Sequence, residues 1–137
     1  MLATRRVDVC WCVVMGDADV TDAEWRAWLA ELENDPTSPL RVLAYISSFG
    51  PNAMQRAQLY RLAETRQVQI AALVGSDFAR GVVKALAWSG KIVIRAYAGR
   101  GIEGALNYLN LQSPERASAL HTLRALMADL SVGPVTH

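Results

Sequence analysis

Short, nearly continuous apolar runs alternate along this chain with segments whose apolar positions recur every three or four residues. The runs predict strands buried on both faces; the recurring positions predict amphipathic helices. The clearest stretch is Val68 to Leu111. Val68-Gln69-Ile70-Ala71-Ala72-Leu73-Val74 reads as a strand closed by Gly75-Ser76-Asp77, and a helix follows to Trp88 and stops at Ser89-Gly90. Lys91 to Tyr97 reads as a second strand and Gly101 to Leu109 as a short amphipathic helix. This spacing predicts crossover connections and an α/β fold with a mostly parallel or mixed, buried sheet.

The remaining segments extend the same alternation. Val7 to Met15 predicts the first strand, with Val7, Val9, Trp11 and Val13 on one face and Cys10, Cys12 and Val14 on the other. Thr21-Asp22-Ala23-Glu24 matches a capping box, in which hydroxyl and carboxylate each take a free backbone N–H. Trp25, Trp28, Leu29 and Leu32 then form one apolar face of a helix ending near Asn34. Asp35 to Pro39 is a loop, and Arg41 to Ile46 a strand. A helix runs from Asn52 to Arg66 with Leu59, Leu62 and Ala63 inward and Gln55, Arg56 and Gln58 toward water. Ser113 as cap and Pro114 at the first position start a last helix, whose Leu120, Leu123, Met127 and Leu130 make a narrow apolar seam before Gly133-Pro134. Four strands with helices packed on them are expected: residues 1–112 as the α/β domain, residues 113–131 as a C-terminal helix that either docks on the sheet or pairs with another chain.

Composition narrows the class. At 137 residues, with 52% hydrophobic and 20% charged residues, this is one globular domain. A net charge of +1 gives no bulk attraction to nucleic acid or anionic membrane. No apolar window is long enough for a membrane span, and Val7 to Met15, interrupted by Asp8, is too short for a signal peptide. Cys10 and Cys12, two residues apart on one strand face, would close a very tight loop, so a reduced cytoplasmic protein is expected.

Chemistry could reside in three places. The turn Asp17-Ala18-Asp19-Val20-Thr21 resembles the first motif of haloacid-dehalogenase-type phosphatases, which implies Asp17 as nucleophile, Asp19 as proton carrier and a metal ion. Ser47 would suit that family's second motif and Asp77 loosely its fourth, but the lysine needed between them is missing: Lys84 and Lys91 both follow Asp77. Ser47-Ser48-Phe49-Gly50, where a strand hands over to a helix, resembles the phosphorylated junction of anti-sigma-factor antagonists, with Ile46 where an Asp is usual. A phosphate on Ser47 or Ser48 would add about two negative charges near a helix N-terminus. Gly99-Arg100-Gly101-Ile102-Glu103-Gly104 before a helix is either a phosphate cradle or a tight turn.

The broader resemblance is to STAS domains, in the SpoIIAA-like branch related in fold to CRAL-TRIO lipid-binding domains. It spans about residues 7 to 111. Ile70-Ala71-Ala72-Leu73-Val74-Gly75, Val82 to Trp88, Ile94-Arg95-Ala96-Tyr97 and Glu103-Gly104-Ala105-Leu106-Asn107-Tyr108-Leu109 carry it, the last with Tyr108 where the family has Trp. It implies a non-enzymatic regulatory or scaffolding module acting through protein–protein contacts, with a small-ligand or lipid carrier as a fold-level alternative. The contact residues expected are Phe49 and Asn52 at the junction and Leu120, Leu123, Met127 and Leu130 on the last helix, with a homodimer as one outcome. His121 and His137 lie far from the cysteines, so no metal or cofactor is expected. Arg56, Arg80, Lys84, Arg95 and Arg100 are read as scattered solvated groups, and Trp25, Trp28 and Trp88 as core.

Overall fold

A computed structural model describes residues 1–90 and 92–130. Lys91, expected to open a strand, and Gly133-Pro134, expected to end the last helix, lie outside the described residues. The chain is α/β with one mixed five-stranded sheet: β1 (Leu2–Val7), β2 (Cys10–Met15), β3 (Leu40–Ile46), β4 (Val68–Val74) and β5 (Val93–Ala98), side by side in chain order. The helices are α1 (Asp22–Asn34), α2 (Ala53–Thr65), α3 (Asp77–Trp88), α4 (Ile102–Tyr108) and α5 (Ser113–Asp129).

Five strands replace the expected four. The run expected as one strand from Val7 breaks at Asp8, whose left-handed backbone (φ 53) turns the chain so that β1 pairs antiparallel with β2. Asp tolerates that conformation at small cost. Arg5 and Arg6 disguise β1, yet charges suit an edge strand because they discourage pairing with another chain. From β2 onward all pairs are parallel, with Cys10 beside Arg41, Leu40 beside Val68 and Gln69 beside Val93.

Side chains alternate between two cores. Trp11, Val13, Val42, Ala44, Ile70 and Ala72 pack beneath α1, α2 and α3; Cys10, Cys12, Val14, Leu43, Ala71 and Leu73 pack beneath α4 and α5. The C-terminal helix therefore docks on the sheet. Leu123 and Met127 are buried, and Leu120 and Leu130 are half-buried. This corrects the reading of Leu123 and Met127 as partner contacts: they belong to the second core. Trp88 departs from expectation too. It is 91% exposed, because Ala79, Val82, Val83 and Leu86 define the inward face of α3 and Trp88 falls off it.

Helix ends obey capping chemistry. Thr21 and Glu24 close the expected box on α1, Asn52 and Gln55 close another on α2, and the cap of α5 is Gln112 with Glu115 rather than Ser113. Arg66 just past α2 donates to the carbonyls of Leu32 (3.1 Å), Glu33 (3.3 Å) and Thr37 (2.8 Å), satisfying the end of α1.

One buried carboxylate ties the first face together. Asp35 accepts from Trp11 Nε1 (2.9 Å), Arg6 Nε (2.7 Å) and the Thr37 amide (2.9 Å). Burial alone would raise its pKa; the donors from Thr37, Trp11 and Arg6 outweigh it and hold the carboxyl well below the usual carboxylate range. The unfolded carboxyl titrates near pH 3.9, so below it the unfolded chain binds a proton that the native state does not. This stabilisation is complete above about pH 5 and drains away as pH falls further. Asp35→Asn is expected to lower stability at pH 7 by about 2–3 kcal/mol and to flatten the dependence between pH 7 and pH 3, as read by urea unfolding at both. A variant as acid-sensitive as the parent would contradict this role.

Candidate functional site

Parallel pairing aligns the C-terminal ends of β2, β3 and β4, so the loops after them share one edge of the sheet. The ladder runs one residue further, with Ser47 N donating to Met15 O (3.0 Å) and Gly75 N to Ile46 O (2.8 Å). Asp17, Ser47 and Gly75 are thereby brought side by side, although they are far apart in sequence.

Their side chains form a connected cluster. Asp17 Oδ1 accepts from Ser47 Oγ and from Ser48 Oγ, the latter at 2.9 Å. Ser76 Oγ donates to Ser48 O (2.7 Å) and accepts from Ala79 N (3.0 Å), joining the cluster to the start of α3. The two serine donors hold the Asp17 carboxyl below its ordinary pKa. Tyr45 lies beneath: burial first, then the Asp17 charge, raise its phenol.

Beside this cluster opens a cleft of about 620 Å³ between the starts of α1 and α2. Gln55 sets its shape. Expected on the water-facing side of α2, it is 1% exposed. Its amide Nε2 donates to Val20 O (2.9 Å) and Asp22 Oδ1 (3.1 Å), its Oε1 accepts from Asn52 N (2.9 Å), and the backbone carbonyl of the same residue accepts from Trp25 Nε1 (3.0 Å). One buried side chain thus staples two helix starts together. Phe49 and Phe78, 49% and 62% exposed, stack edge to face at 5.5 Å on the cleft wall.

The expected site residues therefore divide. Ser47, Ser48 and Asp17 meet, although they were read as parts of separate motifs. Asp19 lines the cleft instead of joining them. Phe49 is on the surface and Asn52 is the α2 cap. A group on Ser47 or Ser48 would meet Asp17, to which both hydroxyls already donate; at the start of α2 the Asn52 side chain takes the Gln55 N–H. Gly101 packs its α-carbon against Tyr97, so the glycine-rich segment is a tight turn into the short α4. Cys10 and Cys12 are free and buried under α5, on which His121 is exposed, and His137 lies outside the described residues. Among the described residues no group of three His, Cys, Asp or Glu side chains could hold a metal ion. Nor is any described helix long and apolar enough to cross a membrane. Phe78 was absent from the expected site, and the spacing gave no sign of it: it stands one turn before Val82 at the margin of the inward face of α3, and only the structure shows it exposed.

Gly75 is the tightest point of the edge. A Cβ there would stand 2.8 Å from Ser47 O and 2.9 Å from Tyr45 Oη. Gly75→Ala is expected to cost about 1–3 kcal/mol and to shift the Ser47 and Ser48 amide resonances; an unperturbed spectrum and melting curve would contradict the close approach. No family model, curated protein or solved structure matches this chain.

Proposed function

We propose that this chain is a non-enzymatic regulatory or scaffolding module that binds another protein through the C-terminal edge of its sheet, from Ser47 to Asn52 and across the neighbouring α3 start. The observation that carries this is the exposed Phe49–Phe78 pair beside the Asp17–Ser47–Ser48 cluster. Aromatic groups left in water next to satisfiable polar groups are what protein contact sites use. The likeness to SpoIIAA-like STAS domains points the same way, since members of that family are mostly regulatory or interaction modules. With the seam of α5 engaged on the sheet, this edge is a better contact than the last helix, and a homodimer through that seam is not part of the reading. Two free, buried cysteines fit a reducing, cytoplasmic setting.

A phospho-switch at Ser47 or Ser48 is the second reading, favoured by one detail. Both hydroxyls give their proton to Asp17 Oδ1. A phosphate on either would lose that bond and set about two negative charges beside a carboxylate. A lipid or small-ligand carrier would need an apolar cavity, whereas Leu43, Ala71, Leu73 and Leu123 fill the second interface without exposure.

A photo-crosslinking amino acid placed at residue 78, and separately at exposed residue 121 on α5, tests the contact in cells. One protein of defined mass crosslinked from position 78, absent from position 121 and lost with Phe49→Ser or Ser48→Glu, is the expected result. Equal crosslinking from both positions, or metal-dependent phosphate-ester hydrolysis abolished by Asp17→Asn, would overturn the proposal.

A further inference from the structure

We infer that the cleft between α1 and α2 receives a basic peptide segment carrying a large apolar side chain, contributed by another protein. This rests on the protein-binding reading and adds the chemistry of the partner. At the cleft floor the Gln55 amide is already engaged by Val20, Asp22 and Asn52. Recognition therefore falls to the walls. One wall is the Phe49–Phe78 pair, and Asp19 and Asp22 stand on the other. A space of about 620 Å³ accepts one large side chain with its flanking backbone.

Charge decides what flanks that side chain. Asp19 and Asp22 line the cleft, Asp77 precedes Phe78 at the start of α3, Asp17 is bonded to Ser48 beside Phe49, and Glu24 stands on the first turn of α1. The opposing charges are Arg56, Arg80 and the amino terminus. Arg56 donates to Pro51 O (2.9 Å), and the amino terminus to Ala18 O (2.7 Å) and Asp19 O (2.8 Å). This region is acidic in a chain whose net charge is +1. Helix starts ordinarily attract anions, but here the Thr21, Asn52 and Ser76 side chains each take one N–H, those of Glu24, Gln55 and Ala79, and carboxylates stand on the first turns of α1 and α3. Phosphate-bearing partners, whether nucleic acid or anionic lipid, would meet carboxylates. A Lys- or Arg-bearing segment with a Leu, Met or aromatic anchor satisfies both walls, and such charge pairing shows most in association rate and salt dependence.

The test is selection of a random peptide library displayed on phage against the immobilised full chain, with the binding site of each enriched peptide mapped by amide chemical shifts. Peptides combining Lys or Arg with a large apolar residue, shifting Val20, Gly50 and Ala79, are expected. Their affinity should fall about tenfold with Phe78→Ser and about fivefold at low salt with Asp19→Asn plus Asp77→Asn, the latter loss shrinking as salt is raised. Acidic or uncharged peptides bound at the cleft would overturn the inference and leave the protein-binding edge standing. Peptides mapping to another face, or no enrichment, would overturn both.

Discussion

Three central strands that are apolar on both faces set the terms for everything else in this molecule. In β2 every residue is buried, and Cys12, Val13 and Val14 have no exposure at all. Such a sheet is stable only with a cover on each side. Strands lying in chain order send each connecting helix over the same face, so α1, α2 and α3 all build the first core. The second face is left for whatever follows β5. That is α4 and α5, and α5 travels back across the sheet to reach β3, β2 and β1. The last helix thus completes the domain.

With both faces closed, polar chemistry gathers at the sheet's C-terminal edge. Three loops meet there because parallel pairing puts their strand ends together, and Asp17, Ser47, Ser48 and Ser76 knit them into one surface. Gln55 fixes the two helix starts next to that surface. The aromatic groups that stay outside the cores at this end, Phe49 and Phe78, share it. Under the proposed function, stability and binding would draw on separate residues: the apolar interiors of the strands on one hand, the first residues beyond their ends on the other.

Much of this was legible in the sequence, and the exceptions have physical causes. Parallel, doubly covered strands announce themselves as unbroken runs such as Ile70 to Val74, and the Thr21–Glu24 box marks a helix start through local hydrogen bonding alone. The edge strand β1 escaped because an edge tolerates Arg5 and Arg6 where a central strand would not. Gln55 escaped because its burial depends on acceptors supplied by Val20 and Asp22, more than thirty residues away. Trp88 was assigned to the core by its chemistry, although the spacing of Val82, Val83 and Leu86 had already turned it outward. The phosphatase likeness had put Asp17 and Ser47 in motifs of one site; their direct contact, and that of Ser48, is created by strand pairing, not by spacing along the chain.

Cys10 and Cys12 provide the most direct readout of this architecture, since both thiols lie beneath α5 and Cys12 Sγ reaches Ala119 O at 3.4 Å. The decisive measurement is the rate of thiol labelling by an aromatic disulfide reagent in the native state, compared with the stability from urea unfolding. If α5 is an integral cover, labelling at neutral pH should be slow, with an opening free energy close to that of global unfolding. Rapid labelling while the far-ultraviolet spectrum and urea midpoint stay native would mean that α5 leaves the sheet readily, and would contradict its place as the second cover.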